Sequence, residues 1–229
     1  MLGEAWALYR RHAQHFLTIS FVISLVIAIV SAVLSWALGN IGAIIGEVFA
    51  LFGMYLLQAA LVKAVQDARD NRGELSLGST IEAVKPFVVP VAIASILASI
   101  GIAIGFALII VPGLVLLTYW SLIVPEIVVG GAGAFESFGR SWRTVSGYAW
   151  RVFGTFVLLF LILIAADIVV SVILLVLPYG WRSFVSSLVV DALVLPFIAA
   201  VVTLIYDRLT SAHTAPAAPA DGYGPYSGT

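Results

Sequence analysis

Six stretches of this chain, at about 16–38, 41–62, 87–111, 113–130, 152–177 and 184–206, are apolar on every side; together they carry no Lys or Arg and only four acids. About 20 helical residues cross the roughly 30 Å hydrocarbon layer of a bilayer, and a segment in lipid has to satisfy its own backbone hydrogen bonds. A barrel would instead need short segments alternating polar and apolar residues. The runs therefore predict an all-α, polytopic membrane protein of six transmembrane helices. The first run is longer than the apolar region of a cleaved signal peptide and has no small-x-small exit into polar sequence, so it reads as a retained helix.

Composition agrees, with 62% hydrophobic and 10% charged residues, where a soluble domain has about a quarter of its residues charged. A net charge of -1 excludes a basic nucleic-acid-binding chain, leaving membrane lipids, a protein partner or homo-oligomer, or a small solute. With no Cys, disulfides, thiolate metal sites, iron–sulfur ligation and cysteine nucleophiles are excluded together.

Alternating the loops between two sides places Arg10, Arg11, Lys63, Arg69, Arg72, Lys85, Arg140, Arg143, Arg151 and Arg208 on one side and leaves Arg182 on the other. The positive-inside rule makes the first side cytoplasmic, with both termini there and the protein in the plasma membrane. Trp36, Tyr179 and Trp181 then sit at outer helix ends, and Tyr9, Tyr148, Trp150 and Tyr206 near inner ones. The outer turns are minimal: Gly39-Asn40, Pro112-Gly113 and Leu177-Pro178-Tyr179-Gly180. They predict three antiparallel hairpins within a domain of residues 1–210. Residues 211–229, rich in Ala, Pro and Gly, read as a disordered cytoplasmic tail.

A short cytoplasmic segment precedes each hairpin, with Glu4-Ala5-Trp6, Glu82-Ala83-Val84 and Glu136-Ser137-Phe138 each following a glycine, Gly3, Gly78 or Gly133. The chain thus reads as three units of interfacial helix plus hairpin. Ser79 and Glu82 fit a capping box, in which each side chain satisfies a free backbone donor at a helix start. In the third unit Phe135, Phe138, Trp142 and Val145 recur at helical spacing while Glu136, Arg140 and Arg143 fall on other faces, the pattern of a helix lying in the membrane interface. Arg140, Arg143 and Arg151 are candidate lipid-headgroup contacts, at about 1 kcal/mol each. The alternative is a helix that only anchors the chain and sets its topology.

Ile110-Val111-Pro112-Gly113-Leu114, Val124-Pro125-Glu126, the segment Gly133 to Arg143, and Gly147 with Trp150-Arg151 resemble the membrane-domain family named after glycerophosphoryl diester phosphodiesterases, and related bacterial and archaeal six-helix proteins of unknown function. The likeness is best over roughly 105–160 and returns from Gly3 to Phe16. It implies a six-helix membrane fold. Some members of that family carry a soluble phosphodiesterase barrel, but the longest non-membrane interior segment here, about 63–86, is far shorter than the roughly 250 residues a barrel needs. Members often have Glu five residues after the helix-four proline, where this chain has Gly130; here Glu126 directly follows Pro125.

Acids inside apolar spans are costly and are functional candidates by default. Glu47, Asp167 and Asp191 are candidates for ion or proton coupling, because no span contains a basic partner for them; Glu126 lies near the cytoplasmic end of helix four. The competing reading is that each acid is protonated and hydrogen-bonded to a neighbouring helix. Ser20, Ser24, Ser31 and Ser35 give helix one a mildly polar face, and Gly42-x-x-x-Gly46 and Gly101-x-x-x-Gly105 read as close helix contacts. Pro125 and Pro196 should kink their helices. His12 and His15 lack a third metal ligand nearby, and the segment from Gln66 to Ser76 reads as a solvated connector. No phosphate-binding loop, zinc-protease motif or nucleophile elbow occurs. The sequence predicts no enzyme, no cofactor and no metal. It favours a non-enzymatic scaffold or accessory subunit, with a small ion- or proton-coupled transporter using Glu47, Asp167 and Asp191 as the alternative.

Overall fold

The computed structural model describes residues 2–69, 77–176 and 178–214. Among these the chain is all helix: α1 (Leu2–Arg11), α2 (Ala13–Arg69), α3 (Leu77–Val84), α4 (Val88–Leu108), α5 (Ile110–Tyr119), α6 (Ile123–Val128), α7 (Ala134–Val145), α8 (Ala149–Ile173) and α9 (Tyr179–Thr214), with 3-10 turns at Lys85–Phe87 and Leu174–Val176. Five helical stretches are long and apolar enough to cross a membrane: Ala13–Arg69, Gly78–Leu108, Ile110–Val128, Ala149–Val176 and Leu188–His213.

The longest of these is two arms. Gly39 breaks α2 with φ 57° and ψ -134°, a conformation costly for a residue with a Cβ. The arms then run back along each other: Ser31 Oγ donates to the Gly46 carbonyl at 3.1 Å, and Gly53 lies against Ile27. The second arm does not stop near residue 62. It continues to Arg69, because Ala64, Val65 and Ala68 are buried, Lys63 pairs with Asp67 at 3.1 Å and Arg69 pairs with Asp207. The expected connector at Gln66 is therefore helix as far as Arg69, and its remainder, with most of the tail, lies outside the described residues. Residues 211–214 are still helical.

The second pair of apolar runs turns at Ile109 (φ -161°, ψ 150°), not at Pro112-Gly113. Pro112 falls in the first turn of α5, where its missing N–H is one that a helix start leaves unbonded anyway. Gly101 packs on the Trp120 ring and Gly105 on Gly113. The fourth run is likewise not one helix. It breaks between Tyr119 and Ile123, and Pro125 sits in the first turn of α6, so the proline helps to start a new helix. Pro196 lies inside α9. Ser79 falls within α3, not at its cap, and Glu82 pairs with Lys85.

Both ends of the described chain meet at one end of the bundle, here called basal: Tyr9 donates to the Leu193 carbonyl at 3.2 Å, and Arg208 reaches Glu4 at 2.5 Å. Burial pushes the Tyr9 phenol above its ordinary 10.0. The core is basal too. It comprises Phe16 and Ile19, the second arm of α2 from Leu57 to Ala68, Val91 to Ala98, α6, and α9 from Ala199 to Leu209. In the distal half no residue of 25–41, 47–52, 106–112 or 160–176 is buried.

Candidate functional site

The most enclosed acid among the described residues is Glu126, 4% exposed, in a helix whose six residues are all buried. Thr144 Oγ1 on α7 donates to its Oε1 at 2.7 Å, and the Tyr206 hydroxyl on α9 lies 3.5 Å from its Oε2, at the outer limit of a hydrogen bond. One carboxylate thus ties three helices. The chain leaves α6 over Gly130 and Gly131, and there is no room for a side chain at Gly130. A Cβ there would stand 2.7 Å from both the Tyr206 hydroxyl and the Glu126 carbonyl oxygen. Arg140 closes this side, donating from Nη1 to the Gly130 carbonyl at 3.0 Å and from Nε to Glu136 Oε1 at 2.8 Å. The Arg140 hydrogen bond, with a smaller contribution from the Gly133 backbone, holds the Glu136 carboxyl below its ordinary 4.5.

Beside this junction, Ser141 repairs the helix break before α6. Its Oγ donates to the Tyr119 carbonyl at 2.6 Å and accepts the Leu122 N–H at 3.2 Å, so one hydroxyl serves two backbone groups that a broken helix leaves without partners. Ala134, Ser137, Ser141 and Val145 form the buried face of α7. The expected apolar stripe is consequently split. Val145 is buried and Phe138 packs edge-on against Trp120 at 4.9 Å, whereas Phe135 and Trp142 are exposed. Sequence reasoning missed the serines; the signal was their spacing, with small residues at 134, 137 and 141 on one helical face.

A cavity of about 550 Å³ opens at the basal end next to the junction, lined by Gln66, Arg69, Val129, Tyr206, Asp207, Thr210 and Ser211. Its polar wall is held by the Arg69–Asp207 ion pair.

The three coupling candidates occupy separate places. Glu47 is exposed on the second arm of α2, and Asp191 is half-buried on α9. Asp167 is exposed on α8 but accepts a hydrogen bond from Ser186 Oγ at 2.9 Å, and Ser186 lies 3.2 Å from Ser171 Oγ. Among the described residues no three His or acidic side chains come together as a metal site. Of the three headgroup candidates, Arg140 is engaged with Glu136 and Gly130, while Arg143 and Arg151 are exposed and form no ion pair or hydrogen bond with an acid among the described residues. The Arg151 guanidinium lies 6.0 Å from the Tyr148 ring centroid. The His15 Nε2 is buried without a hydrogen-bond partner among the described residues.

An all-helical chain with five helices of this length and apolarity is compatible with a multi-pass membrane protein. It belongs to the family defined by a domain of unknown function, DUF7847, whose model matches residues 3–212. No curated protein and no solved structure matches it.

Proposed function

We propose that this chain is an integral membrane protein of six crossings, arranged as three antiparallel hairpins with interfacial helices α1, α3 and α7. Both termini lie on the cytoplasmic side of the plasma membrane, and it acts without chemistry of its own, as a scaffold or accessory subunit contacting lipids, a protein partner or another copy. The break at Gly39, which divides α2 into two arms, supports the sixth crossing. The likeness to the membrane domains of glycerophosphoryl diester phosphodiesterases belongs to the same reading and adds no activity to it.

The observation that carries the accessory role is α8, which buries only Val152 and Leu159 of its 25 residues against its own chain. The outward face of this helix, with Leu161, Ile164 and Ile168 exposed, offers its surface to other molecules in the bilayer. The test is photo-crosslinking from Leu161 and Ile168 in native membranes, with tagged protein then purified in mild detergent and its adducts and co-purifying lipids quantified. A discrete protein adduct or one enriched lipid class is expected. Adducts to bulk lipid alone, in the proportions of the bilayer, would overturn the reading.

A second reading, ion- or proton-coupled transport through Glu47, Asp167 and Asp191, draws support from the Asp167–Ser186–Ser171 chain of polar groups between α8 and α9. Flux into proteoliposomes that Glu47→Gln, Asp167→Asn and Asp191→Asn abolish would favour it over the accessory role.

A further inference from the structure

The turn between α7 and α8 is flanked by two Trp-Arg pairs, Trp142-Arg143 at the end of one helix and Trp150-Arg151 at the start of the next. Gly147, with φ 86°, makes the turn. The two indoles are held in place: Trp142 stacks on Tyr119 with ring centroids 4.1 Å apart, and Trp150 on Phe153 at 5.5 Å. Both remain exposed to the surroundings, Trp150 by 83%, and Phe135 on α7 is 74% exposed. Beside these rings Arg143 and Arg151 are exposed and, unlike Arg140, spend no hydrogen bond on an acid of the chain.

Exposed rings at the headgroup level seat a protein in the interface, and a guanidinium free of carboxylate partners presents a planar fork that matches phosphate oxygens. We infer that the α7–α8 turn is a docking surface for an anionic glycerophospholipid of the leaflet at the basal end, with Arg143 and Arg151 on its phosphate and Trp142, Trp150 and Phe135 on its glycerol and acyl region. Charge complementarity selects this occupant: the surface offers two cations that form no ion pair or hydrogen bond with an acid among the described residues, beside apolar rings, which suits a molecule with a phosphate above a hydrocarbon body. This inference rests on the membrane reading above and names the lipid class and the residues that take it. Arg140 is excluded, because its guanidinium already bridges Glu136 and Gly130.

The test is native mass spectrometry of the full chain in detergent, titrated in parallel with phosphatidylglycerol and phosphatidylcholine. The expected result is a preference for phosphatidylglycerol that Arg143→Gln and Arg151→Gln each weaken about fivefold, the equivalent of about 1 kcal/mol per arginine at a membrane surface. Phosphatidylcholine binding should stay unchanged, as should both lipids in Arg140→Gln. Arg143→Lys and Arg151→Lys, which keep the charge and lose the planar fork, should retain more of the preference than the glutamine variants and less than the unaltered protein. Equal binding of the two lipids by the unaltered protein, a preference that survives in the double glutamine variant, or an equal loss in Arg140→Gln would overturn the proposal. So would displacement of the lipid by inorganic phosphate beyond that caused by chloride at the same ionic strength, which would mark a free-anion site. The readout is lipid binding alone, so a transport activity found elsewhere would overturn the accessory role and leave this measurement standing.

Discussion

The basal and distal halves of this molecule are built from the same apolar residue types and are packed differently. On α9 every residue of the basal stretch 199–206 is buried, whereas no residue of the distal stretch 160–176 on and after α8 is. The basal half is locked by polar residues that each serve more than one helix: Glu126 between α6, α7 and α9, and Ser141 between α5, α6 and α7. The distal half has contacts that join one arm to the next in sequence, as at Ser31–Gly46, Gly105–Gly113 and Asp167–Ser186. In lipid a Leu gains little by leaving the hydrocarbon for a protein interior, so association depends on close packing and on polar groups that find partners. The difference teaches that in this fold polar junctions, not apolarity, decide where the helices converge.

The widest separation should come from truncating a leucine in each half. Leu57→Ala, at a site 1% exposed, opens a cavity and should cost about 3 kcal/mol. Leu161→Ala on exposed α8 should stay within about 0.5 kcal/mol. Reversible unfolding in mixed micelles checks the pair, and equal losses would break the contrast between the halves.

Next in size is the junction. Glu126→Ala leaves Thr144 and Tyr206 facing an unfilled acceptor site and should cost about 2 kcal/mol, with Glu126→Gln recovering part of it. The same unfolding assay reads both, and a neutral Glu126→Ala would show that the junction does not hold α6.

A smaller effect is expected distally. A double-mutant cycle of Asp167→Ala and Ser186→Ala should return a coupling of about 0.6 kcal/mol, the usual worth of an interhelical hydrogen bond in lipid. A coupling as large as that of Glu126 with Thr144 would erase the distinction between the two halves.

The smallest effect is the Glu136–Arg140 pair on the surface of α7. Because the folded carboxyl titrates below its ordinary 4.5, its contribution is fully present above that value and is lost as pH falls through the lower, folded one. Arg140→Gln should therefore flatten the acid limb of the stability profile below pH 4.5, and an unchanged limb would show the pair to be inert.

Much of this was legible along the chain. The apolar runs located the long helices, the glycine pairs Gly42/Gly46 and Gly101/Gly105 marked close contacts, and α7 was readable from its periodicity. The helix ends were not. Arg69 continues α2 because its partner, Asp207, lies 138 residues further on, and the break after Tyr119 persists because Ser141 arrives from α7 to bond its free groups. The site showed the same limit. Intramembrane acids stand out by their cost, but Glu126 looks like Asp167 until the structure shows that one is enclosed by three helices and the other is exposed.

By itself the sequence determined that this chain is helical and where its apolar runs fall, because hydropathy and periodicity are local properties that a residue carries wherever it is placed. The tertiary structure alone decided which acid is enclosed, which serines bear on the backbone and which arginines form no ion pair. Each of those facts depends on a partner distant along the chain, and no local pattern encodes that distance.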